Sequence, residues 1–574
     1  MRSYFPFRGG VLAALALSFS SPAAAQQPAT ADRVVELPEF TVTDSPVLAE
    51  PESWRYAQVG TFEVLSNASD RNTQRLLRDF QLFTQAMRLV WPTPVKPLAA
   101  SSLILCGRGA QFDTFLPAGG ERADLTTSIL LRDREQVAIV ADLEADRIAL
   151  DPTKVVTDAA GVEYEVDHYR QLYRQYVRFL LTQSEARVPV WLEEGVAQIV
   201  MDIQLDSRTL LYGKVDTYRG TESGGASSTT EETDATADAG AVIGEQPFNA
   251  VLRFRKMMPF DRFFAIAADD PAARSPLGNN LWSKQAYAFV HFCLFGEDLR
   301  HQAGLQKLVT RLAREPMSEA LFKECFGTDY AGMHRQLRAY ILHVRHKYQK
   351  YDLRQSDVVA NEPVALREAT QAEIGRIKGD ARRLAGLAEG ARAEYRAAYI
   401  RGERDPRLLA ALGLSELAEG RRDRARALLE NATKAGVSRP SAYVALARLR
   451  LEDFRAAGAA QLDQAQMAAV LTPLFQARAR PPALPETYAL IAEAWSLSAI
   501  PPRRDHLAVL DEGVRTFPRD TGLVLAAARL NARIGENARA SEIAVLGLRF
   551  ASEPALRREL EPFVAAVPAQ APAR

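Results

Sequence analysis

From residue 54 onward the apolar positions fall into short runs of differing period. Phe62-Glu63-Val64-Leu65-Ser66 alternates as a half-buried strand does. Ser69 or Asp70 is placed to cap a helix whose Leu76, Leu77, Phe80, Phe83 and Met87 recur at helical spacing. Residues 103–106 read as a second strand, and 129–131 and 137–140 as a hairpin around Asp133-Arg134-Glu135-Gln136. Helices are expected at 168–183 and 190–202. In the first, Leu172, Tyr173, Tyr176, Val177 and Leu180 form a broad apolar face, and Arg174 and Arg178 share another, one turn apart. From 248 to about 351 the pattern is helical. Strands followed by helices predict an α+β domain.

The last third has a longer period. Leu409, Leu412, Gly413, Ala425, Leu429 and Ala432 resemble the tetratricopeptide pattern at its usual offsets. Ala391, Tyr395 and Ala398 repeat the second-helix positions thirty-four residues upstream. Pro440, Tyr443, Leu446 and Ala447 open a further unit, as do Tyr488, Ile491, Ala492 and Trp495. Val524, Ala527, Ala528, Ala540 and Ala544 give the last. The pattern weakens over 453–484, where Pro481, Pro482 and Pro485 interrupt. The resemblance implies an all-α array of stacked helix pairs over 360–562, with its concave side as a protein- or peptide-binding surface.

Composition completes the domain plan. The chain has 574 residues, 47% apolar and 25% charged, with 71 Lys+Arg against 71 Asp+Glu. That balance shows no nucleic-acid footprint and no preference for an anionic membrane surface. Arg2 and Arg8, a short apolar run and Ala23-Ala24-Ala25 predict a signal peptide over 1–25 and export to a periplasm or beyond. No later run is apolar enough for a transmembrane helix. Scattered prolines make 26–52 a linker, and 563–574 reads as a tail. Residues 219–246, rich in Gly, Ser, Thr and acids, read as a disordered insertion within a domain spanning 53–352. Cys106, Cys293 and Cys325 each lie in apolar sequence; the sequence does not say whether two of them pair.

The candidate chemistry lies at 170–195. Pro189-Val190-Trp191-Leu192-Glu193-Glu194-Gly195 resembles the W-L-x-E-G segment of bacterial gluzincin-like metallopeptidases of the peptidase MA group. The strand-then-helix opening at Phe62, and Trp282 to His291 as a post-site helix, are similar to the same secreted family. The resemblance implies an upstream H-E-x-x-H helix giving two zinc histidines and a general base, with Glu194 as third ligand. Here the matching residues are Arg174-Gln175-Tyr176-Val177-Arg178, and Arg178 stands sixteen residues before Glu194. Arginine is a donor-only cation and cannot ligate zinc. Glutamine cannot take a proton from a metal-bound water. Only Glu194 keeps a ligand's chemistry. Arg170-Gln171-Leu172-Tyr173-Arg174 offers a second R-Q-x-x-R register, and an amphipathic helix with solvated arginines offers a purely structural reading. In a retained frame, one of the arginines is expected to form an ion pair with Glu194.

Tyr287 or His291 could face the former cleft, or both could be core residues with a polar tip. His343 and His346, among basic residues and without an acidic neighbour, read as a solvated helix end. Two function classes follow: an exported, catalytically inactive peptidase-like scaffold without cofactor, or a zinc-dependent metallopeptidase with non-standard ligands. His168 is the only histidine ahead of Glu194, which favours the first.

Overall fold

The computed structural model describes residues 50–90, 100–107, 109–117, 126–143, 147–148, 164–165, 168–182, 188–206, 208–215, 247–275, 278, 280–296, 299–343, 345–353 and 364–565. The expected signal peptide, most of the linker, all of the 219–246 insertion and most of the tail lie outside these residues.

The first half comprises β1 (Arg55–Val59), β2 (Phe62–Ser66), α1 (Asp70–Val90), β3 (Ala100–Cys106), a 3-10 turn at Gly109–Phe115, β4 (Ser128–Arg132), β5 (Gln136–Asp142), β6 (Arg147–Ile148) and β7 (Tyr164–Glu165). There follow α2 (His168–Thr182), α3 (Val190–Met201), β8 (Gln204–Leu205), β9 (Thr209–Tyr212), α4 (Phe248–Leu252), α5 (Phe260–Ala265), α6 (Leu281–Phe295), α7 (Arg300–Leu312), α8 (Glu319–Phe326), α9 (Tyr330–Ile341) and β10 (Gln349–Asp352). The main sheet has the order β11-β1-β2-β3-β5-β4, with β11 at Arg367–Glu368. Strands β2, β3 and β5 run parallel, with Leu65, Ile104 and Val140 in register; β4 lies antiparallel at the edge. The expected strands and hairpin are present. Strands β8, β9 and β10 form a small second sheet, in which β10 stands at the end of the stretch expected to be helical from 248 to about 351.

The sheet is buried on both faces. Val64, Leu103, Leu105 and Ile139 point into a core shared with α1 and α2. Ser69 caps α1 by accepting from the Asn72 amide at 3.2 Å, and Phe83 stacks on Tyr173 of α2 at 3.7 Å between centroids. Alternate residues Leu65, Ile104, Ala138 and Val140 point the other way, onto Phe112, Phe115 and Ile374, Ile377 and Ala381.

Those last three residues belong to the repeats. The second half consists of α10 (Gln371–Leu384), α11 (Ala388–Ile400), α12 (Pro406–Ala418), α13 (Arg422–Lys434), α14 (Pro440–Ala456), α15 (Gln464–Arg478), α16 (Pro485–Ser496), α17 (Arg504–Thr516), α18 (Thr521–Arg533), α19 (Asn537–Phe550) and α20 (Pro554–Ala565). Each even-numbered helix from α10 to α18 packs on its odd-numbered successor and on the next even-numbered helix. The even helices therefore line the more tightly packed side of the array. Leu412, Leu429, Tyr443 and Leu446 are buried as expected. Trp495 is only half-buried, stacked on His506 at 4.6 Å. The prolines at 481, 482 and 485 sit in the connection between α15 and α16 and at the start of α16, where a missing amide costs nothing.

The division expected near 352–360 is not a division of the packing, because β11 extends the sheet and α10 covers it. The tip of the β4–β5 hairpin enters the even-helix side. Glu135 accepts from the Ser441 amide at 2.7 Å and from Arg439 Nε at 3.1 Å, and Arg439 also reaches Asp380 at 3.2 Å. Gln136 donates to Asp380 at 3.0 Å, and Arg383 pairs with Asp133 at 2.8 Å. Part of the side on which a partner was expected thus holds the chain's own hairpin.

Candidate functional site

Helices α2 and α3 lie side by side, and arginines spaced four apart on α2 meet acids on or just past α3. Arg170 pairs with Asp202 and donates from Nε to the Met201 carbonyl at 2.8 Å. Arg174 Nη2 donates to both Glu194 oxygens, at 2.8 and 2.7 Å. Arg178 Nε donates to Glu193 Oε1 at 2.9 Å. The N-terminal arginine meets the C-terminal acid, so the helices run antiparallel.

The expected ion pair with Glu194 is therefore present and is made by Arg174. Arg178, the other arginine of the matched pentapeptide, takes Glu193 instead. The arginine face of α2 is not solvated: Arg174 is 0% exposed and Arg178 17%. The apolar face meets α1, and the polar face meets α3 and the edge of the sheet. Gln175, at the general-base position, donates from Nε2 to the Ser128 carbonyl at 3.2 Å, and Gln171 accepts from the Thr127 amide at 2.8 Å. Both glutamines satisfy backbone groups at the edge strand β4.

Glu194 is 3% exposed and fully engaged. Gln198, one turn on, donates to its Oε1 at 2.9 Å and to the Gly278 carbonyl at 3.1 Å; Lys284 of α6 donates to Gln198 Oε1 at 3.0 Å. Gly278, at φ +62°, closes over the pair, and a Cβ there would collide with Gln198 Nε2 and Glu194 Oε1. Gly195 serves the same packing from the other side: a Cβ there would stand 2.5 Å from the Ala286 carbonyl of α6. Burial alone would raise the Glu194 pKa, but the charges of Arg174 and Arg178 hold it below the usual carboxylate range. Glu193, gripped by Arg178 and by Arg132 of β4 at 2.8 Å, is lowered against burial in the same way. Burial draws the Arg174 pKa down while Glu194 opposes it, and the guanidinium remains a cation.

This donor set does not fit zinc. Zinc wants three or four N, S or O donors with free lone pairs. Around Glu194 stand a guanidinium, a donating amide and an ammonium. Among the described residues no group of three or more His, Cys, Asp or Glu is placed to hold a metal ion.

Tyr287 is buried and donates to Asp202 at 2.7 Å, which ties α6 to the end of α3; burial and Asp202 push its pKa well up. His291 is buried too. Its Nε2 faces the Gly213 carbonyl and its Nδ1 the Tyr340 hydroxyl, both at 2.7 Å. A carbonyl only accepts, so Nε2 carries the proton and Nδ1 accepts from Tyr340. Burial takes the His291 pKa down to about 3. His346 rests against the Tyr340 carbonyl at 3.1 Å and is not the solvated residue expected. Cys106, Cys293 and Cys325 are all free thiols.

The sequence did not reveal Arg132, Gln198, Gly278 or Lys284 as parts of this cluster. Gln198 alone carried a signal, since it stands four residues from Glu194 on one helix. Elsewhere, a shallow groove on the repeats is lined by Phe475, Arg478, Trp495, Asp505, His506 and Val509. Among the described residues no helix is long and apolar enough to cross a membrane.

No protein-family model matches the chain, and no curated protein is similar to it. Several solved structures match part of the chain. The MamA protein is 14% identical, with 35% of this chain and 98% of that one covered and a TM-score of 0.25. YrrB, described as a TPR protein with an unusual peptide-binding site, is 13% identical over 32% and 88%, with a TM-score of 0.26. A TPR protein of Thermus thermophilus is 16% identical over 34% and 99%, with a TM-score of 0.25. Scores this low carry no argument, so the helix-pair array rests on the packing described above.

Proposed function

We propose that this chain is a catalytically inactive, peptidase-like protein that acts as a protein- or peptide-binding scaffold through a tetratricopeptide-like repeat array. The observation that carries this reading is Arg174 Nη2 bridging both oxygens of a buried Glu194. In the gluzincin-like frame, that carboxylate would hold zinc. Here a fixed cation has its place, and Gln175 offers an amide where a base would stand. The alternative, a zinc-dependent metallopeptidase with non-standard ligands, would require Glu194 to leave Arg174, Gln198 and the cover of Gly278 together.

Binding falls to the repeats. The hairpin already occupies the even-helix side near α10 and α14, which leaves the later helices for a partner. The groove between Trp495, His506 and Phe475 offers aromatic surface flanked by Arg478 and Asp505, suited to an extended segment with an apolar side chain. An exported location, expected from the signal-peptide pattern at the N-terminus, forms part of this proposal.

Hydrolysis of casein and of a mixed peptide library tests the inactive half of the proposal. No cleavage above a buffer control is expected, and cleavage abolished by Glu194→Gln would overturn it. Trp495→Ala and Phe475→Ala test the other half. Both should weaken capture from a displayed peptide library while leaving the melting profile in place.

A further inference from the structure

Net charge is zero over the whole chain, yet one surface is strongly one-sided. Residues 247–260 and 330–351 together carry eight Lys and Arg and no Asp or Glu. The fold brings the two stretches together. Arg338 of α9 grips the turn after α4, donating to the carbonyls of Leu252 at 2.6 Å, Arg253 at 2.9 Å and Arg255 at 3.2 Å. Phe248 of α4 packs on His346, 5.1 Å between centroids, which fixes the chain beyond α9 beside the same turn. Leu342 lies one helical turn past Arg338 and so shares its side of α9.

Apolar side chains protrude among these charges. Phe254 is 83% exposed in the gripped turn, and Leu342 and Tyr348 are exposed on the stretch whose Arg338 and His346 pack against that turn and α4. A large exposed Phe flanked by Arg253 and Arg255 gains nothing in water. At a bilayer interface the ring enters the acyl boundary while the basic heads stay among phosphates.

We infer that this basic, aromatic-tipped face, formed by Arg253, Phe254, Lys256, Leu342, Arg345 and Tyr348, docks on a membrane surface bearing anionic phospholipid headgroups. Charge complementarity selects the anionic surface. Phe254 and Leu342 protrude among the basic residues, which suits entry into a lipid interface. The balanced composition hid this asymmetry, because the compensating acids lie elsewhere in the chain.

Co-sedimentation of the full chain with vesicles tests the inference. Vesicles of phosphatidylglycerol mixed with phosphatidylcholine should retain the protein in low salt and release it in high salt, whereas pure phosphatidylcholine should retain little. Neutralising Arg253 and Lys256 together should weaken partitioning roughly thirtyfold. Phe254→Ser should weaken it about tenfold with charge unchanged. All these side chains are on the surface, so the melting profile should hold. Equal retention on both vesicle types, no retention on either, or full retention by the variants would overturn the inference. So would tight binding of a synthetic peptide spanning the acidic stretch 221–245 by a chain that ignores vesicles.

Discussion

Glu194→Gln removes one negative charge and almost no volume, so its effect isolates the buried ion pair. In the native chain, Oε1 accepts from Arg174 and Gln198 at 2.8 and 2.9 Å, and Oε2 accepts from Arg174 at 2.7 Å. An amide has one acceptor and one donor. Whichever way it is turned, a donor faces the guanidinium, and Arg174 loses the charge of Glu194. Both side chains are out of solvent, at 0% and 3%, so no screening softens the loss. Breaking one partner of such a pair costs about 3–5 kcal/mol. Urea unfolding at pH 7 should show a loss of that size. Replacing both partners, by Arg174→Met with Glu194→Leu, should cost less than either single change, because no charge is left stranded. A Glu194→Gln protein within about 0.5 kcal/mol of the parent would show that the pair ties nothing together and refute the reasoning.

Glu193 is held by two arginines, and Glu193→Gln should matter less than Glu194→Gln. Their partial exposure, 17% for Arg178 and 27% for Arg132, sets a smaller loss of about 1–3 kcal/mol by the same urea measurement. Gly278→Ala combines a left-handed backbone with a collision against Gln198 and Glu194, and should lower stability by more than about 2 kcal/mol in the same assay. His291 is neutral when folded, with a pKa near 3 against about 6.5 unfolded, so the unfolded chain binds the extra proton. Its contribution is complete above pH 6.5 and falls on acidification, by about 2 kcal/mol at pH 5, and His291→Gln should flatten the urea midpoint against pH over that window. Leu412→Asp places a charge at a site with no exposure, and hydrogen exchange should show protection lost across α12 and α13; unchanged exchange there would refute the repeat packing.

The elements with a clean period were legible. The helix carrying Leu76 to Met87, the hairpin at 129–140 and the paired repeat helices lie where apolar spacing put them. Strands β8, β9 and β10 are two to four residues long and carry too few positions for a period to show. Helix α10 gives no warning in its sequence of what it packs against. Its Arg376, Lys378 and Asp380 suggest a solvated helix, yet all three are buried. Arg376 meets Glu63 at 2.6 Å and Lys378 meets Glu52 at 2.7 Å, partners more than three hundred residues away. At the site, the chemistry of arginine pointed to the ion pair. The cover by Gly278 and the second grip by Arg132 come from distant segments, and no local pattern announces them.

Elemental analysis of the purified chain, with thermal unfolding before and after a strong chelator, tests the central claim most directly. If Arg174 stands in place of a metal, zinc should be far below one per chain, and chelator should leave the transition where it was. About one tightly held zinc per chain, whose removal lowers the transition, would contradict the account, because a metal bound only by the folded state must stabilise it.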